Sequence, residues 1–279
     1  MFRRLLCSIF AVVVAARPVP AQTGAWQFHW REGQVLTYRV EHMTSASEVT
    51  RSGTSETTTK LGLSKRWRVL GVDRAGVASL QLSLDALRLE TAIANRDPLL
   101  FDSAKPEKSD PHMREQLARF VGQPLALLRV DRQGRVVQVV ESKHGPASRF
   151  ESELPFVIVL PGETRQPGQS WERDYRITLE PPQGAGEKVE AAQRYTCKAV
   201  ADGTVAIAMM TLVKTMPESL LDRVPLLQMQ PEGEVLFDTK EGRLHRATLR
   251  IEQELKGHQG EGSSYRFQST YTEEFVGDK

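Results

Sequence analysis

Histidine side chains are the first candidates for chemistry, because near neutral pH they serve as bases, as partners of nucleophiles and as metal ligands. No two of the six histidines are spaced so as to place a metal-binding pair on one helix. The nucleophile-elbow, zinc-protease, phosphate-loop and dinucleotide-binding motifs do not occur either. From motifs we therefore predict no catalytic residue, no metal site and no cofactor, and ligand-binding residues stay unassigned. The histidines are His29, His42, His112, His144, His245 and His258.

Three pairs of neighbouring carboxylates could act as acid and base. Residues i and i+2 of a strand share one face, which paired-carboxylate chemistry requires. In "RIEQELKG", however, Glu252 and Glu254 alternate with Ile251 and Leu255. This alternation predicts a half-buried strand whose glutamates lie on its polar outer face. The pairs are Glu151 and Glu153, Glu252 and Glu254, and Glu273 and Glu274.

The chain has two cysteines, of which Cys7 belongs to the N-terminal segment described next. Cys197 is then left alone, so we expect no intrachain disulfide. It lies in the alternating run "RYTCKAV", which favours a buried small apolar side chain. A nucleophilic cysteine needs a histidine partner, and the neighbouring sequence supplies none.

Residues 1–21 have the order of segments that is typical of a secretory signal peptide: basic "MFRR", apolar "LLCSIFAVVVAA" and then "RPVPA". The apolar run is shorter than the roughly 20 residues that span a bilayer. We expect cleavage near Ala21 and export to the periplasm or the extracellular space, with a retained amphipathic anchor as the alternative. Cys7 comes too early to be a lipidated first residue.

The charge balance argues against a nucleic-acid partner. The whole chain has a formal net charge of +2, but residues 1–21 contain three arginines and no acid. The remainder holds 34 basic and 35 acidic residues, so its charge is close to zero. Nucleic-acid-binding proteins are usually basic. No further apolar stretch has the length of a membrane span.

Alternating apolar and polar residues predict a mainly β fold, of the α+β type. The expected strands are long, and long strands joined by tight turns coil into curved antiparallel sheets that form an open barrel or a sandwich. The Ser/Thr-rich run 44–60 is interpreted as two exposed strand ends around a turn near Ser52 and Gly53. The predicted strands are 35–43, 55–71, 77–91, 126–131, 135–141, 171–180, 188–200, 204–214, 234–239, 243–256 and 264–276.

One helix is well specified by "SDPHMREQLARFVG". Asp110 is the expected N-cap, Pro111 the first helical residue and Gly122 the residue just past the end. Met113, Leu117, Phe120 and Val121 form one apolar stripe, which we expect to cover the concave face of a sheet. The stretch "PESLLDRVPLLQMQPEG" is expected to do the same later in the chain.

Two halves of the chain resemble each other. Residues 66–84 align without a gap with 194–212, and each stretch predicts a hairpin. Residues 127–140 match 235–249, and the stretch at 31–40 is similar to that at 166–177. We therefore predict two related β-units, each with a short plugging helix, at 22–150 and 151–279. They could pack as one domain, and unrelated hairpins that look alike are the alternative to duplication.

The sequence resembles a diffuse group of exported bacterial proteins of unknown function, found notably in planctomycete-like genomes. The residues that carry this resemblance are "FDSAKPEK" (101–108), "LARFVGQPL" (117–125), "VDRQGRVVQV" (130–139), "LPGETRQPGQSW" (160–171) and "FDTKEGRL" (237–244). No activity is established for that group, so the resemblance transfers no functional residue. The predicted layout is also similar, at the level of the fold, to lipoprotein carriers of the bacterial periplasm.

Three functions fit these observations. The first is a non-catalytic envelope or periplasmic protein that binds an apolar small molecule, a lipid or another envelope protein on a concave β-face. The second is a structural scaffold. The third is a hydrolase whose site converges from separate strands, which would require His42, His245 or the glutamate pairs to meet in one cleft.

Overall fold

The computed structural model describes residues 25–151, 157–179 and 184–278. Its dominant element is one antiparallel sheet, to which twelve strands of the described residues contribute. The strands are β1 (Val35–Thr50), β2 (Gly53–Val72), β3 (Ala78–Ile93), β4 (Leu99–Asp102), β5 (Pro124–Val130), β6 (Val136–Ser142), β7 (Ser170–Leu179), β8 (Glu187–Ala201), β9 (Thr204–Val213), β10 (Glu232–Asp238), β11 (Arg243–Lys256) and β12 (Ser264–Asp278).

The order of the strands follows two meanders that meet side by side. It is β6-β5-β3-β2-β1-β12-β11-β10-β9-β8-β7, with β4 paired to β3. No ladder joins β6 to β7 within the described residues, so the sheet is open. The predicted mainly β, antiparallel fold is confirmed, as a single sheet.

Each meander has the same sequence of elements. Three long strands are followed by a helix and then by two more strands; the first meander adds the short β4 before its helix, and β12 follows the second set. The aligned stretches 66–84 and 194–212 fall on β2–β3 and β8–β9. Residues 127–140 and 235–249 fall on β5–β6 and β10–β11. The sheet is continuous across the proposed boundary at 150, because β1 pairs with β12, and the division into two units stays a prediction.

The sheet is curved so strongly that its two halves share one core. Trp67 and Leu80 from the first meander belong to the same buried cluster as Tyr195 and Ile207 from the second. Register shifts interrupt several ladders, and such bulges increase twist and bend strands. They lie next to Thr37, Ser64, Val69, Leu82, Leu127, Cys197 and Leu236.

Two segments without regular structure fill one end of the concave face. Phe28 packs on Phe237 edge to face, with ring centroids 5.1 Å apart, and its N–H donates to the carbonyl of Arg132 at 2.7 Å. Residues 157–160 are fully buried. The N–H of Leu160 donates to the carbonyl of Gln133 beside β6, and the indole Nε1 of Trp171 in β7 donates to the carbonyl of Val159 at 2.7 Å. This segment thus bridges the two ends of the sheet.

The helices contribute less to the core. Helix α1 (Pro111–Leu117) is capped by Asp110, whose Oδ1 accepts the N–H of Met113 at 3.0 Å, as predicted. None of its residues is fully buried, but Phe120, in the short 3-10 turn Ala118–Phe120 that follows, packs against the core. Helix α2 (Leu220–Leu227) buries Leu226 and Leu227. Further 3-10 turns are Pro106–Lys108 and Ala147–Glu151.

Candidate ligand-binding cleft

A cleft of about 570 Å³ lies on the concave face, next to the buried segment 157–160. Residues of β1, β7, β8, β11 and β12 line it together with Val157 and two loops. Its apolar lining includes Ile177, Leu249, Ile251 and Phe267. Pro146, Ser148 and Arg149 line it from the loop after β6, and Gln228, Met229 and Pro231 from the loop after α2.

Strand alternation decides which lining residues present side chains to the cleft. Arg176 and Arg250 alternate with the concave-face residues Ile177 and Leu249, so only their backbone faces it. Their guanidinium groups make ion pairs elsewhere, with Glu190 at 2.7 Å and with Glu232 at 3.1 Å. The polar side chains that the strands present to the cleft are those of His42, Thr44, Tyr175, Gln193, Ser269 and Tyr271.

His42 and Ser269 form a hydrogen-bonded pair on one wall. Nε2 of His42 lies 2.9 Å from Oγ of Ser269, and the ring of Tyr271 meets the imidazole edge to face at 5.5 Å. Burial lowers the pKa of His42, because it disfavours the charged imidazolium. Burial therefore favours the neutral imidazole of His42 over the imidazolium.

Tyr175 and Gln193 form the wall on the side of β7 and β8. Oε1 of the buried Gln193 accepts from Nε of Arg173 at 2.7 Å. It also lies 2.8 Å from the hydroxyl oxygen of Tyr195, whose single proton points to the closer carbonyl of Val157 at 2.7 Å. The Arg173 guanidinium lies 5.1 Å from the centre of the Tyr175 ring, a cation–π contact. Desolvation raises the pKa of Tyr175, and the charge of Arg173 opposes this effect.

A buried ion pair lies next to the first wall. Nζ of Lys65 is 3.3 Å from Oε2 of Glu273, and the two side chains are 2% and 0% exposed. The hydroxyl of Tyr271 donates to the same carboxylate oxygen at 2.6 Å. Tyr271 thus lies between the cleft and the ion pair. Its ring contacts His42 and its hydroxyl is bonded to Glu273, and these two contacts fix the position of the ring.

The structure separates the residues that sequence reasoning singled out. His42 lies in the cleft, whereas His245 is exposed on the convex face of the sheet. Glu252 and Glu254 are also on the convex face, as predicted. They pair with Arg266 at 3.1 Å and Lys256 at 3.8 Å.

The other carboxylate pairs and histidines lie elsewhere. Glu273 is buried beside Lys65, whereas Glu274 pairs with Arg39 on the surface. Glu153 and the side chain of Glu151 lie outside the described residues, as does the expected signal peptide. His29, His112, His144 and His258 do not line the cleft.

The described part of the chain holds neither a metal-ligating cluster nor a membrane-spanning helix. Among the described residues, no group of three or more histidine, cysteine, aspartate or glutamate side chains is placed to hold a metal ion. None of the helices described is long and apolar enough to cross a membrane. Cys197 is buried in the core without a disulfide.

Sequence reasoning missed the polar residues of the cleft. No motif includes any of these residues, and only their position within a strand could have pointed to them. They are Ser269, Tyr271, Gln193 and Tyr175. Tyr175 alternates with the exposed Asp174 and Arg176, and Ser269 and Tyr271 lie on either side of the exposed Thr270, so these three fall on the concave face. Gln193 follows the buried Ala192, and its strand shows no such alternation there. Only the pairing of β1 with β12, which places His42 opposite Tyr271, brings the first wall together.

Sequence comparison assigns this chain to no family. It matches no protein-family model, and no curated protein sequence matches it significantly. DynF from the dynemicin biosynthesis pathway of Micromonospora chersina is similar over 97% of this chain and 93% of its own, with 8% identity and a TM-score of 0.23.

Two further solved structures are similar at a comparable level. One is an outer membrane lipoprotein-sorting protein domain from Vibrio parahaemolyticus, with 9% identity over 87% of this chain and 84% of its own and a TM-score of 0.15. The other is the Salmonella type III secretion secretin InvG, with 13% identity over 90% and 62% and a TM-score of 0.16. At such TM-scores none of these similarities carries an argument about function.

Proposed function

We propose that the protein is a non-catalytic binding protein whose cleft takes up a ligand with an apolar body and a small polar group. The observation that carries the proposal is the uneven filling of the concave face. Phe28, Ile158 and Leu160 are packed into the core, whereas beside Val157 the same face leaves a cleft of about 570 Å³. Ligand sites typically measure about 300–1,000 Å³ and combine an apolar lining with a few polar groups.

The lining suits such a ligand in both respects. Ile177, Leu249, Ile251 and Phe267 offer apolar surface, and burying apolar surface of a ligand yields roughly 25 cal/mol per Å². Hydrogen bonds hold the hydroxyl, amide and imidazole groups of the two walls in place. Because these side chains are already ordered, ligand binding loses little side-chain entropy. Lipids and apolar small molecules belong to this class.

The proposal is tested by filling the cleft. Ile251→Trp places a large ring among the lining residues, and Thr248→Trp places the same ring on the exposed convex face of the same strand. Binding of N-phenyl-1-naphthylamine is followed by its fluorescence. We expect binding by the wild type and by Thr248→Trp and loss of binding in Ile251→Trp. Equal binding by all three proteins would place the probe outside the cleft and contradict the proposal.

Native mass spectrometry and organic extraction of protein purified from its own host test the natural ligand. A bound molecule of defined apolar chemistry supports a carrier or binding role. A stable complex with another envelope protein supports the scaffold instead.

Export is part of the proposal and rests on the order of segments in residues 1–21. N-terminal sequencing of the protein from its host tests it directly. A mature chain that begins at Gln22 supports cleavage after Ala21, and a chain that begins at Met1 contradicts it.

A second candidate, an ester hydrolase, is favoured by one contact. Neutral His42 has Nε2 2.9 Å from Oγ of Ser269, which is the geometry of a serine nucleophile and its base. A fluorophosphonate probe tests this candidate, because it labels activated serines covalently. Labelling that disappears in both Ser269→Ala and His42→Gln supports the hydrolase, and absence of labelling excludes it.

A further inference from the structure

The imidazole of His42 is fixed on one side and accessible on the other. Nε2 is held by Ser269 at 2.9 Å, and the ring packs against Tyr271. Within the described residues Nδ1 has no hydrogen-bond partner, and it is not among the fully enclosed polar atoms that lack one. Because His42 lines the cleft, Nδ1 is the ring atom that a bound ligand can reach.

Among the described residues of this wall, His42 is the one whose side-chain type ordinarily titrates near neutral pH. Its partner on β2 is Leu61, and its neighbours on β12 are Ser269 and Tyr271. The nearby charges of Lys65 and Glu273 oppose each other in the buried pair. The remaining charged or titratable groups around the cleft are Tyr175 on β7, Arg173 beneath Tyr175, and Arg149 on the loop after β6.

From this arrangement, and resting on the function proposed above, we propose that the ligand carries a carboxylate head group that accepts a hydrogen bond from Nδ1 of His42. A carboxylate is the acceptor that gains most from a histidine donor, because a charge-assisted hydrogen bond is about twice as strong as a neutral one. The apolar body of the ligand then extends over Ile251 and Phe267, towards Leu249.

Binding of such a ligand takes up a proton from solvent. In the protein alone, burial disfavours the imidazolium and lowers the pKa of His42. A carboxylate in contact with the ring favours the imidazolium, so the pKa of His42 is higher in the complex than in the free protein. Affinity for the anion must therefore rise as pH falls from above the pKa of the complex to below that of the free protein.

The experiment compares two probes with the same body. Dodecanoate carries the carboxylate, and dodecan-1-ol carries a neutral head. Binding of each is measured by calorimetry at about pH 6 and about pH 8, a range in which histidine titrates. The proteins are the wild type, His42→Gln, which cannot take up the proton, and His245→Gln, which makes the same change at the exposed convex histidine. Thermal unfolding of each variant confirms that it is folded.

We expect dodecanoate to bind the wild type and His245→Gln roughly tenfold more tightly at the lower pH. In His42→Gln this difference disappears, and dodecan-1-ol shows no pH dependence in any of the proteins. Equal affinities for dodecanoate at both pH values in the wild type would overturn the carboxylate proposal while leaving binding in the cleft intact. Failure of both probes to bind would instead overturn the proposed function, and the carboxylate proposal with it.

Discussion

Lys65 and Glu273 form an ion pair that is closed off from solvent, with 3.3 Å between Nζ and Oε2. They lie on β2 and β12, on either side of β1, so the pair crosses the junction of the two meanders. Taking two charges out of water costs several kcal/mol per ion, and their attraction offsets this cost only in good geometry. The hydroxyl of Tyr271, 2.6 Å from Oε2 of Glu273, adds a hydrogen bond to the carboxylate.

Removal of one partner is therefore expected to be costly. Lys65→Met removes the ammonium group next to the buried carboxylate of Glu273, and we expect the free energy of unfolding to fall by about 3–5 kcal/mol. Urea unfolding followed by tryptophan fluorescence measures this change. The double variant Lys65→Met, Glu273→Leu removes both charges and should recover much of the loss, because well-packed apolar replacements of buried pairs are often neutral.

The matched control lies in the same strand. Lys60 pairs with Glu90 at the same distance of 3.3 Å, but its side chain is 60% exposed. Lys60→Met should cost at most about 1 kcal/mol, because solvent screens exposed pairs. If Lys65→Met lowers the free energy of unfolding by no more than Lys60→Met does, the buried pair does not stabilise the junction of the two meanders.

The turn between β5 and β6 depends on Gly134, for two reasons. Its φ is +88°, a conformation that disfavours side chains, and a Cβ built there would lie 2.6 Å from the Phe28 ring and 2.9 Å from the carbonyl oxygen of Ile158. Gly134→Ala should therefore displace the segments that fill the core and lower the free energy of unfolding by more than about 2 kcal/mol.

Gly168 is the control for the effect of the backbone alone. Its φ is +89°, and no atom lies within 4 Å of a Cβ built there. Gly168→Ala should lower the free energy of unfolding by about 1–2 kcal/mol. If urea unfolding gives the same decrease for Gly134→Ala and Gly168→Ala, contact of the added Cβ with Phe28 and Ile158 does not destabilise the protein.

Local alternation is sufficient to predict most of the strands, because each long strand has one buried face. Eleven of the twelve observed strands overlap a predicted one. β4 was missed because it has four residues and pairs only with β3, so its existence depends on a partner and not on its own pattern. The turn at Ser52 and Gly53 between β1 and β2 was predicted correctly.

The features that could not be predicted from the sequence depend on contacts between residues far apart in the chain. Residues 157–160 belong to none of the predicted strands or helices, yet they are buried because Trp171, Gln133 and Tyr195 provide partners for their backbone. Lys65 has the parity of a concave-face residue, but nothing local shows that Glu273 will neutralise it. The cleft likewise depends on the curvature of the whole sheet, which no single strand encodes.

Cys197 lies in the core and is expected to be chemically inert in the folded protein. Its side chain has no exposure to solvent, and burial raises the pKa of its thiol, so the reactive thiolate is suppressed. Iodoacetamide should leave the peptide that contains Cys197 unmodified in the native protein and alkylate it in urea. Peptide mass mapping measures both states. Alkylation of the native protein at a rate similar to that in urea would show that this part of the core opens readily.

Tyr195 couples the buried segment to the alkaline stability of the protein. Its hydroxyl donates to the carbonyl of Val157 at 2.7 Å, and desolvation raises the pKa of Tyr195 from 10.0 to about 12. The unfolded chain loses this proton near pH 10, whereas the folded protein keeps it. The stabilisation is thus fully present below the unfolded pKa and is lost as pH rises from about 10 to about 12.

Tyr195→Phe tests this coupling. At neutral pH the variant leaves the buried carbonyl of Val157 without its donor and should lose about 1–3 kcal/mol. Between about pH 10 and pH 12 its free energy of unfolding should fall less steeply than that of the wild type, because one group that titrates on unfolding is gone. Some slope remains, since burial also raises the pKa of Tyr175 and Tyr265. Urea unfolding at a series of alkaline pH values measures both slopes, and parallel curves would show that Tyr195 does not carry the alkaline transition.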